Sequence, residues 1–209
     1  MKILIGDDHS VVRRGLKMII TDAYPTVLIE EAVDGAALLK KLSFQKWDII
    51  ICDISMPGRS GLEIMQLINE QAPSIPVLML SMHPAEHYAI RALKSGAYGY
   101  ITKESASDEL ILAINTIVSG RKYITQEIAN LLLDANEDMV ADNQLHKYLS
   151  NREFDVMKMI AEGHKVSDIA AQLALSVNTI STYRSRILKK MSIESNAGLT
   201  KYALDQGLI

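Results

Sequence analysis

The sequence predicts a mixed α/β chain, with a doubly wound five-stranded parallel sheet domain followed by a smaller all-α domain of four helices. Three observations predict it. Five short aliphatic runs alternate with amphipathic segments over residues 1–122, an acidic stretch follows, and residues 149–209 carry helix-capping signals. With 48% hydrophobic and 22% charged residues in 209, the composition is that of a globular protein and excludes a disordered chain.

The runs are Ile3-Leu-Ile, Val27-Leu-Ile, Ile49-Ile-Ile-Cys, Val77-Leu-Met-Leu and Tyr98-Gly-Tyr-Ile. Continuous apolar strands separated by helices imply a parallel sheet covered on both faces, and five such units match a flavodoxin-like fold. Ligands of these sheets bind beyond the carboxyl ends of the strands. Here those ends are Asp7-Asp8, Asp53, Ser81 and Thr102-Lys103, and the end of the second strand is the exception. Three converging carboxylates repel one another, and a hard divalent cation such as Mg²⁺ relieves that repulsion. Lys103 adds a positive charge suited to a phosphoryl group, and Asp53, central among the ends, is the natural nucleophile for accepting one covalently. Each residue alone has an ordinary explanation: Asp7 and Asp8 as caps of a helix starting near Ser10, Asp53 as a turn residue before Met56-Pro57-Gly58, Ser81 as a loop hydroxyl, Lys103 as a solvated strand end. Four such coincidences at one edge are not explained that way.

Charge is unevenly placed. Residues 1–125 carry 13 basic and 14 acidic side chains, residues 126–148 carry 1 and 5, and residues 149–209 carry 8 and 6. Asp134 to Gln144 reads as an acidic, solvated linker, so the expected organisation is 1–122, a linker over 123–148, and 149–209. In the last part Ser150 and Glu153 form a capping box, and Gly163 stops the first helix. A second helix spans Val166 to Leu173, Ser176 caps a third running to about Met191, and a fourth spans Asn196 to Gln206. On the third, Ile180, Tyr183, Ile187, Leu188 and Met191 share one side. Asn178, Ser181, Thr182, Ser185 and Lys189 occupy the other, with Arg186 at its margin and Arg184 adding to the basic charge. Short polar side chains between basic ones suit the major groove of DNA, the basic residues meeting phosphates and the polar ones base edges. An ordinary amphipathic helix with a polar outer face is the alternative.

A single cysteine, Cys52, excludes an intramolecular disulfide framework and a cysteine-based zinc site and fits a reducing cytosol. No apolar run reaches the length of a membrane span, so a soluble, cytoplasmic protein with no membrane partner is expected. His9, His83 and His87 are spaced as loop or helix histidines rather than as metal ligands.

Residues 1 to about 122 resemble the receiver domain of bacterial two-component response regulators, through Asp7-Asp8-His9, Asp53-Ile-Ser-Met-Pro-Gly-Arg-Ser-Gly61, Leu80-Ser81 and Tyr100-Ile-Thr-Lys103. The resemblance implies that Asp53 is the phosphoacceptor and that Asp8, Asp53 and the Ser55 carbonyl hold Mg²⁺, with Asp7 acting through a water. It also implies that Lys103 contacts the phosphoryl oxygens, that the Ser81 hydroxyl follows the phosphoryl group, and that Tyr100 changes rotamer with it. Residues 149–209 resemble the LuxR-type helix-turn-helix, through Leu149-Ser-Asn-Arg-Glu153, Ile169-Ala-Ala-Gln-Leu173, Ser176-Val-Asn-Thr-Ile180 and the closing Ala203-Leu-Asp-Gln-Gly-Leu-Ile209. The pair is similar to the NarL/FixJ class of transcriptional regulators, and the resemblance adds Thr179 to the DNA-facing residues. Tyr183 stands where that class usually has His, and Ile180-Ser-Thr-Tyr-Arg-Ser-Arg186 is similar to the BvgA/EvgA branch, whose members typically answer hybrid kinases through a phosphorelay.

The function expected is therefore phosphorylation of Asp53, with Mg²⁺, controlling sequence-specific binding to double-stranded DNA. The partners expected are a cognate sensor histidine kinase or phosphotransfer protein, a second copy of the chain when phosphorylated, and, as a further candidate, RNA polymerase. Two rivals stand beside this reading: an aspartyl-phosphate hydrolase using the same centre, and a switch whose basic helix docks on a protein. The hydrolase lacks a positioned base beyond the acid cluster, and salt dependence separates DNA from protein as the partner.

Overall fold

The computed structural model describes residues 1–137 and 145–209, which fall into two compact units, Met1–Ala135 and Asn136–Ile209. In the first, β1 (Lys2–Gly6), β2 (Leu28–Ala32), β3 (Ile49–Asp53), β4 (Val77–Ser81) and β5 (Gly99–Thr102) form one sheet in the order β2-β1-β3-β4-β5, every pair parallel. Between and after them run α1 (Ser10–Ala23), α2 (Gly35–Leu42), α3 (Gly61–Gln71), α4 (Ala85–Lys94) and α5 (Ala106–Val118). This is the flavodoxin-like order that the aliphatic runs predict.

The reason lies in the strands, since β3 and β4 are buried at every position. Ile3, Ile5, Ile49, Ile51, Leu78, Leu80 and Ile101 pack with Leu16 and Ile20 of α1 and with Leu110, Ile114 and Ile117 of α5. The alternate residues Leu4, Ile50 and Met79 are equally buried and face the opposite side of the pleat. With both faces covered, the strand ends are the sheet's open edge.

The span expected to be linker begins with structure. Tyr123 bridges Gly99 in parallel, its N–H donating to the Tyr98 carbonyl at 2.7 Å, and α6 runs over Gln126–Glu137. Ile128 is buried and Leu131 and Leu132 are half-buried, so these three form an apolar stripe at helical spacing. Regional charge hides that stripe. The centre of the acidic stretch, 138–144, lies outside the described residues.

In the second unit a 3-10 turn (Leu145–Tyr148) precedes α7 (Asn151–Ala161), α8 (Val166–Gln172), α9 (Val177–Met191) and α10 (Asn196–Asp205). The capping box on α7 forms: Ser150 Oγ accepts from Glu153 N at 3.3 Å, and the Glu153 carboxylate accepts from Ser150 N at 2.8 Å. Ser176 Oγ caps α9, accepting from Thr179 N at 3.0 Å. Gly163 ends α7 with φ 89, a left-handed conformation that favours glycine. Phe154, Met157, Ile169, Ile180, Ile187, Met191, Leu199 and Ala203 are buried.

Candidate functional site

Neighbouring strands end together, and that builds the site. Gly6 pairs with Cys52, so Asp7 and Asp53 leave β1 and β3 side by side, while Ser81 pairs with Thr102, one residue before Lys103. Asp7, Asp53 and Ser81 are buried. Lys103 Nζ lies 2.7 Å from Asp7 Oδ2 and 2.8 Å from Asp53 Oδ2, and the Lys103 N–H donates to the Ser81 carbonyl at 2.7 Å. The ordinary explanation of Asp7 and Asp8 does not hold, because the N-cap of α1 is His9 and no side chain caps it. Asp7 Oδ1 instead accepts from the His9 N–H at 2.7 Å, and His9 Nδ1 sits 2.9 Å from Asp8 Oδ1.

Electrostatics follow from this crowding. Burial pushes the Asp53 carboxyl above its usual range; the Lys103 hydrogen bond pulls it back, and the neighbouring Asp7 charge adds to the rise. For Lys103, burial alone would lower the value, but the hydrogen bond to Asp53 and the close negative charge of Asp7 outweigh it and the ammonium is held more firmly than usual. Asp7, Asp8, His9 and Asp53 each bring a ligand atom within 4.8 Å of the others. Asp7 Oδ2 and Asp8 Oδ1 are buried without a hydrogen bond of good geometry, although Lys103 and His9 stand close to them. Buried carboxylate oxygens with spare lone pairs are hard donors, and this set fits a hard divalent cation.

Tyr100 lies inside. It is 1% exposed, and its hydroxyl donates to the His83 carbonyl at 2.6 Å, while burial pushes its pKa up to about 12. Ser81 Oγ accepts from the His83 N–H at 3.0 Å, and the His83 ring stacks on Tyr88 with centroids 4.9 Å apart. The Ser55 N–H donates to Asp53 Oδ1 at 3.3 Å. The edge thus brings together Asp7, Asp8, Asp53, Ser55, Ser81, Tyr100 and Lys103.

Sequence reasoning missed Arg13, whose Nη1 donates to the Asp7 carbonyl at 2.7 Å and whose Nε donates to Glu31 Oε2 at 3.1 Å. Nothing in the sequence separates it from its neighbour Arg14.

On α9, Asn178, Ser181, Thr182, Ser185, Arg186 and Lys189 lie on the polar side, with Thr179 and Arg184 beside them. Thr179 spends its hydroxyl on Ser176 Oγ at 2.8 Å, and Arg184 Nε donates to Asn196 Oδ1 at 2.6 Å. Thr182 and Ser185 donate to the carbonyls of Asn178 and Ser181 on their own helix.

Comparison with known proteins bears on both units. The response regulator receiver domain family matches residues 3–115, and the bacterial regulatory protein luxR family matches residues 147–203. The chain is 35% identical to the oxygen regulatory protein NreC of Staphylococcus haemolyticus, over 100% of this chain and 99% of NreC. It is similar to RcsB of Salmonella enterica serovar Typhimurium bound to promoter rprA in the presence of phosphomimetic BeF3-, with 26% identity and TM-score 0.65 over 97% of this chain and 98% of that one. A LuxR-family response regulator of Aurantimonas is 30% identical, with TM-score 0.60 over 65% of this chain and 97% of that one. Among the described residues no helix is long and apolar enough to cross a membrane. A carboxylate-rich strand edge on a receiver fold, followed by a luxR-family helical unit, makes this chain a member of the two-component response regulators of the NarL/FixJ class, whose phosphorylation controls transcription.

Proposed function

We propose that Asp53 is the phosphoacceptor and that its modification controls how the α9 face binds double-stranded DNA. The observation that carries this is the Asp53 carboxylate, buried yet 2.8 Å from Lys103 Nζ and beside Asp7 and Asp8. Asp8, Asp53 and the Ser55 carbonyl would hold Mg²⁺, with Asp7 acting through a water. Held there, the ion would supply neutralisation of the charge that gathers in phosphoryl transfer. An Asp53 oxygen attacks phosphorus, the bond from phosphorus to the donor's nitrogen or oxygen breaks, and the electron pair leaves with the donor. Lys103 partly offsets the effect of burial on Asp53 and then meets the phosphoryl oxygens. Slow hydrolysis of the acyl phosphate resets the chain.

The new dianion draws Lys103 and the Ser81 hydroxyl toward it. Tyr100 follows inward, so its buried position beneath the His83 carbonyl is the one that phosphorylation favours. In that state two copies associate and set two α9 helices about one DNA turn apart. Asn178, Ser181, Thr182 and Ser185 read base edges, while Arg184, Arg186 and Lys189 meet phosphates and Thr179 stands at the helix entry. RcsB bound to promoter DNA supports a DNA partner. The phosphoryl donor is a sensor histidine kinase or phosphotransfer protein, the Ile180–Arg186 run favours a phosphorelay of the BvgA/EvgA kind, RNA polymerase is a further partner, and the setting is cytoplasmic.

The test is selection of bound sites from a random duplex library, with and without an acyl-phosphate donor and Mg²⁺. A repeated half-site enriched more strongly with donor, and lost in Asp53→Asn, is the expected result. Equal enrichment in both arms removes the switch from Asp53, and no enrichment favours a protein as the target of α9.

A further inference from the structure

One side chain ties the start of the loop that carries Asp7, Asp8 and His9 to the sheet, and the first backbone turn of α1 holds its end. Arg13 donates its backbone N–H to the His9 carbonyl at 3.1 Å and its guanidinium Nη1 to the Asp7 carbonyl at 2.7 Å. Asp8 therefore sits between a carbonyl held by the Arg13 side chain and one held by the ordinary backbone turn of α1. The guanidinium is fixed in turn, because Nε donates to Glu31 Oε2 at 3.1 Å and Lys17 Nζ holds the other Glu31 oxygen at 2.7 Å. Glu31 lies on β2 opposite Ile5 of β1, so this chain of hydrogen bonds ends on the rigid sheet rather than in a loop. The Arg13 side chain is only 12% exposed, and it spends Nη1 and Nε on a backbone carbonyl and on Glu31 rather than on the carboxylates of Asp7 and Asp8.

We propose that Arg13 is a positioning residue for the cation site: by tying the Asp7 carbonyl to Glu31 on the sheet, its side chain presents the Asp8 carboxylate beside Asp53. The proposal rests on the reading of a Mg²⁺-assisted phosphoacceptor given above. A carboxylate in a mobile loop must be ordered when it binds an ion, and that entropic cost weakens binding. A loop already fixed to the sheet avoids it. Arginine is required because two acceptors at fixed separation must be met by one planar fork, which a lysine ammonium does not reproduce.

Charge and position predict opposite signs here, and that makes the idea testable. A positive side chain near a cation site repels the ion, so if charge alone mattered Arg13→Met would bind a divalent ion more tightly and Arg13→Lys would change nothing. If Arg13 positions the loop, both substitutions weaken binding. The measurement is Mn²⁺ affinity of the full chain, from the electron paramagnetic resonance signal of free Mn²⁺, with Mg²⁺ as competitor and no phosphodonor. Both variants are expected to bind roughly tenfold more weakly than the native chain, the loss typical of removing a group that orients a metal ligand. Thermal melts of the same samples establish that they are folded, and Arg13→Lys decides alone if Arg13→Met is not. Affinity within twofold of native in Arg13→Lys, or tighter binding in Arg13→Met, overturns the positioning role. Failure of the native chain to bind Mn²⁺, or binding unchanged by Asp8→Ala, overturns the Mg²⁺ reading itself.

Discussion

The Tyr100 hydroxyl and the His83 carbonyl meet at 2.6 Å, which fastens strand β5 to the loop that follows Ser81 at the end of β4. One residue earlier, Gly99 bridges Tyr123 at the entry to α6. Strand β5 is thus gripped on one side by the β4–α4 loop and on the other by the segment leaving the receiver. Tyr100→Phe keeps the ring and removes the donor that the His83 carbonyl accepts from. The expected cost is about 1–2 kcal/mol, read as a lower receiver melting point, with faster hydrogen exchange of the amides around His83. An unchanged exchange rate there would mean that the bond does not hold the loop.

Asp53→Asn should stabilise the receiver at neutral pH. Burial raises the Asp53 carboxyl above its unfolded value, so the folded state prefers the protonated form. The stabilising contribution of that proton is fully present below the unfolded value near 3.8 and is lost as pH rises through the higher folded value. A neutral amide escapes the loss. The melting temperature should exceed that of the native chain at pH 7, and the excess should shrink as pH falls toward 3.8. Calorimetry of both proteins across that range, without divalent ions, checks the sign.

Gly61 is the close approach that sets α3 against the end of β3. Its N–H donates to the Ile54 carbonyl at 2.8 Å, and an added Cβ would press into the Asp53 carbonyl oxygen and stand 2.8 Å from Ile54 Cα. Both obstacles are backbone and have no rotamer to yield. Gly61→Ala should cost about 1–3 kcal/mol by overpacking and slow phosphorylation of Asp53 by an acyl phosphate, because the displaced backbone is the one that carries the carboxylate. Gly61→Ala with native stability and native phosphorylation would show that α3 shifts without moving Asp53.

These residues also mark what a sequence can disclose. The five aliphatic runs, the capping box of α7 and the Ser176 cap of α9 are local patterns, so β1 to β5, α7 and α9 are legible. The carboxylates are legible because parallel strands of a doubly wound sheet must end at one edge, which turns Asp7, Asp53, Ser81 and Lys103 into neighbours before any coordinates exist. Arg13 is not, since its role depends on which way one arginine of an Arg13-Arg14 pair turns. Helix α6 is obscured because the acidic residues around it outweigh the Ile128, Leu131 and Leu132 stripe in any regional count. The inward position of Tyr100 is a rotamer choice, and strand periodicity carries no rotamer information.

The capping box of α7 has a second role that predicts acid sensitivity. Burial alone would raise the Glu153 carboxyl, but its hydrogen bonds with Lys190 and Ser150 outweigh that and hold it below the usual range. Lys190 Nζ lies 2.6 Å away, tying α9 to the start of α7. A lowered carboxyl contributes stability that is present above the unfolded value of 4.5 and lost as pH falls through the lower folded value. Glu153→Gln keeps an acceptor for the Ser150 N–H and loses the ion pair, so it should cost about 0.5–1 kcal/mol above roughly pH 5 and almost nothing well below about pH 4. Hydrogen exchange of the α7 amides as a function of pH reads this locally. A constant gap between the two proteins at all pH values would assign the cost to the cap rather than to the charge.

Arg184 and Lys189 lie on the same helix and should fail differently on DNA. Arg184 is half-buried and donates Nε to Asn196 Oδ1 at 2.6 Å, which leaves its remaining guanidinium N–H groups oriented by the start of α10. Lys189 is exposed, a flexible ammonium on the polar side of α9. A fork held before binding pays less entropy on meeting a phosphate than a free ammonium does. Arg184→Ala should therefore weaken binding more than Lys189→Ala, uniformly across sequences, and lower the salt slope by about 0.9, the share of a single neutralised phosphate. Asn196→Ala should reproduce part of the affinity loss with the salt slope retained, because the charge is still present and only its orientation is gone. Ser181→Ala, on the polar face, should leave the slope alone and relax preference at one base step. Titrations of the phosphorylated chain on its selected duplex at several salt concentrations separate the three outcomes. If Asn196→Ala leaves affinity intact, the hydrogen bond to Arg184 belongs to the packing of α10 and not to the reading of DNA.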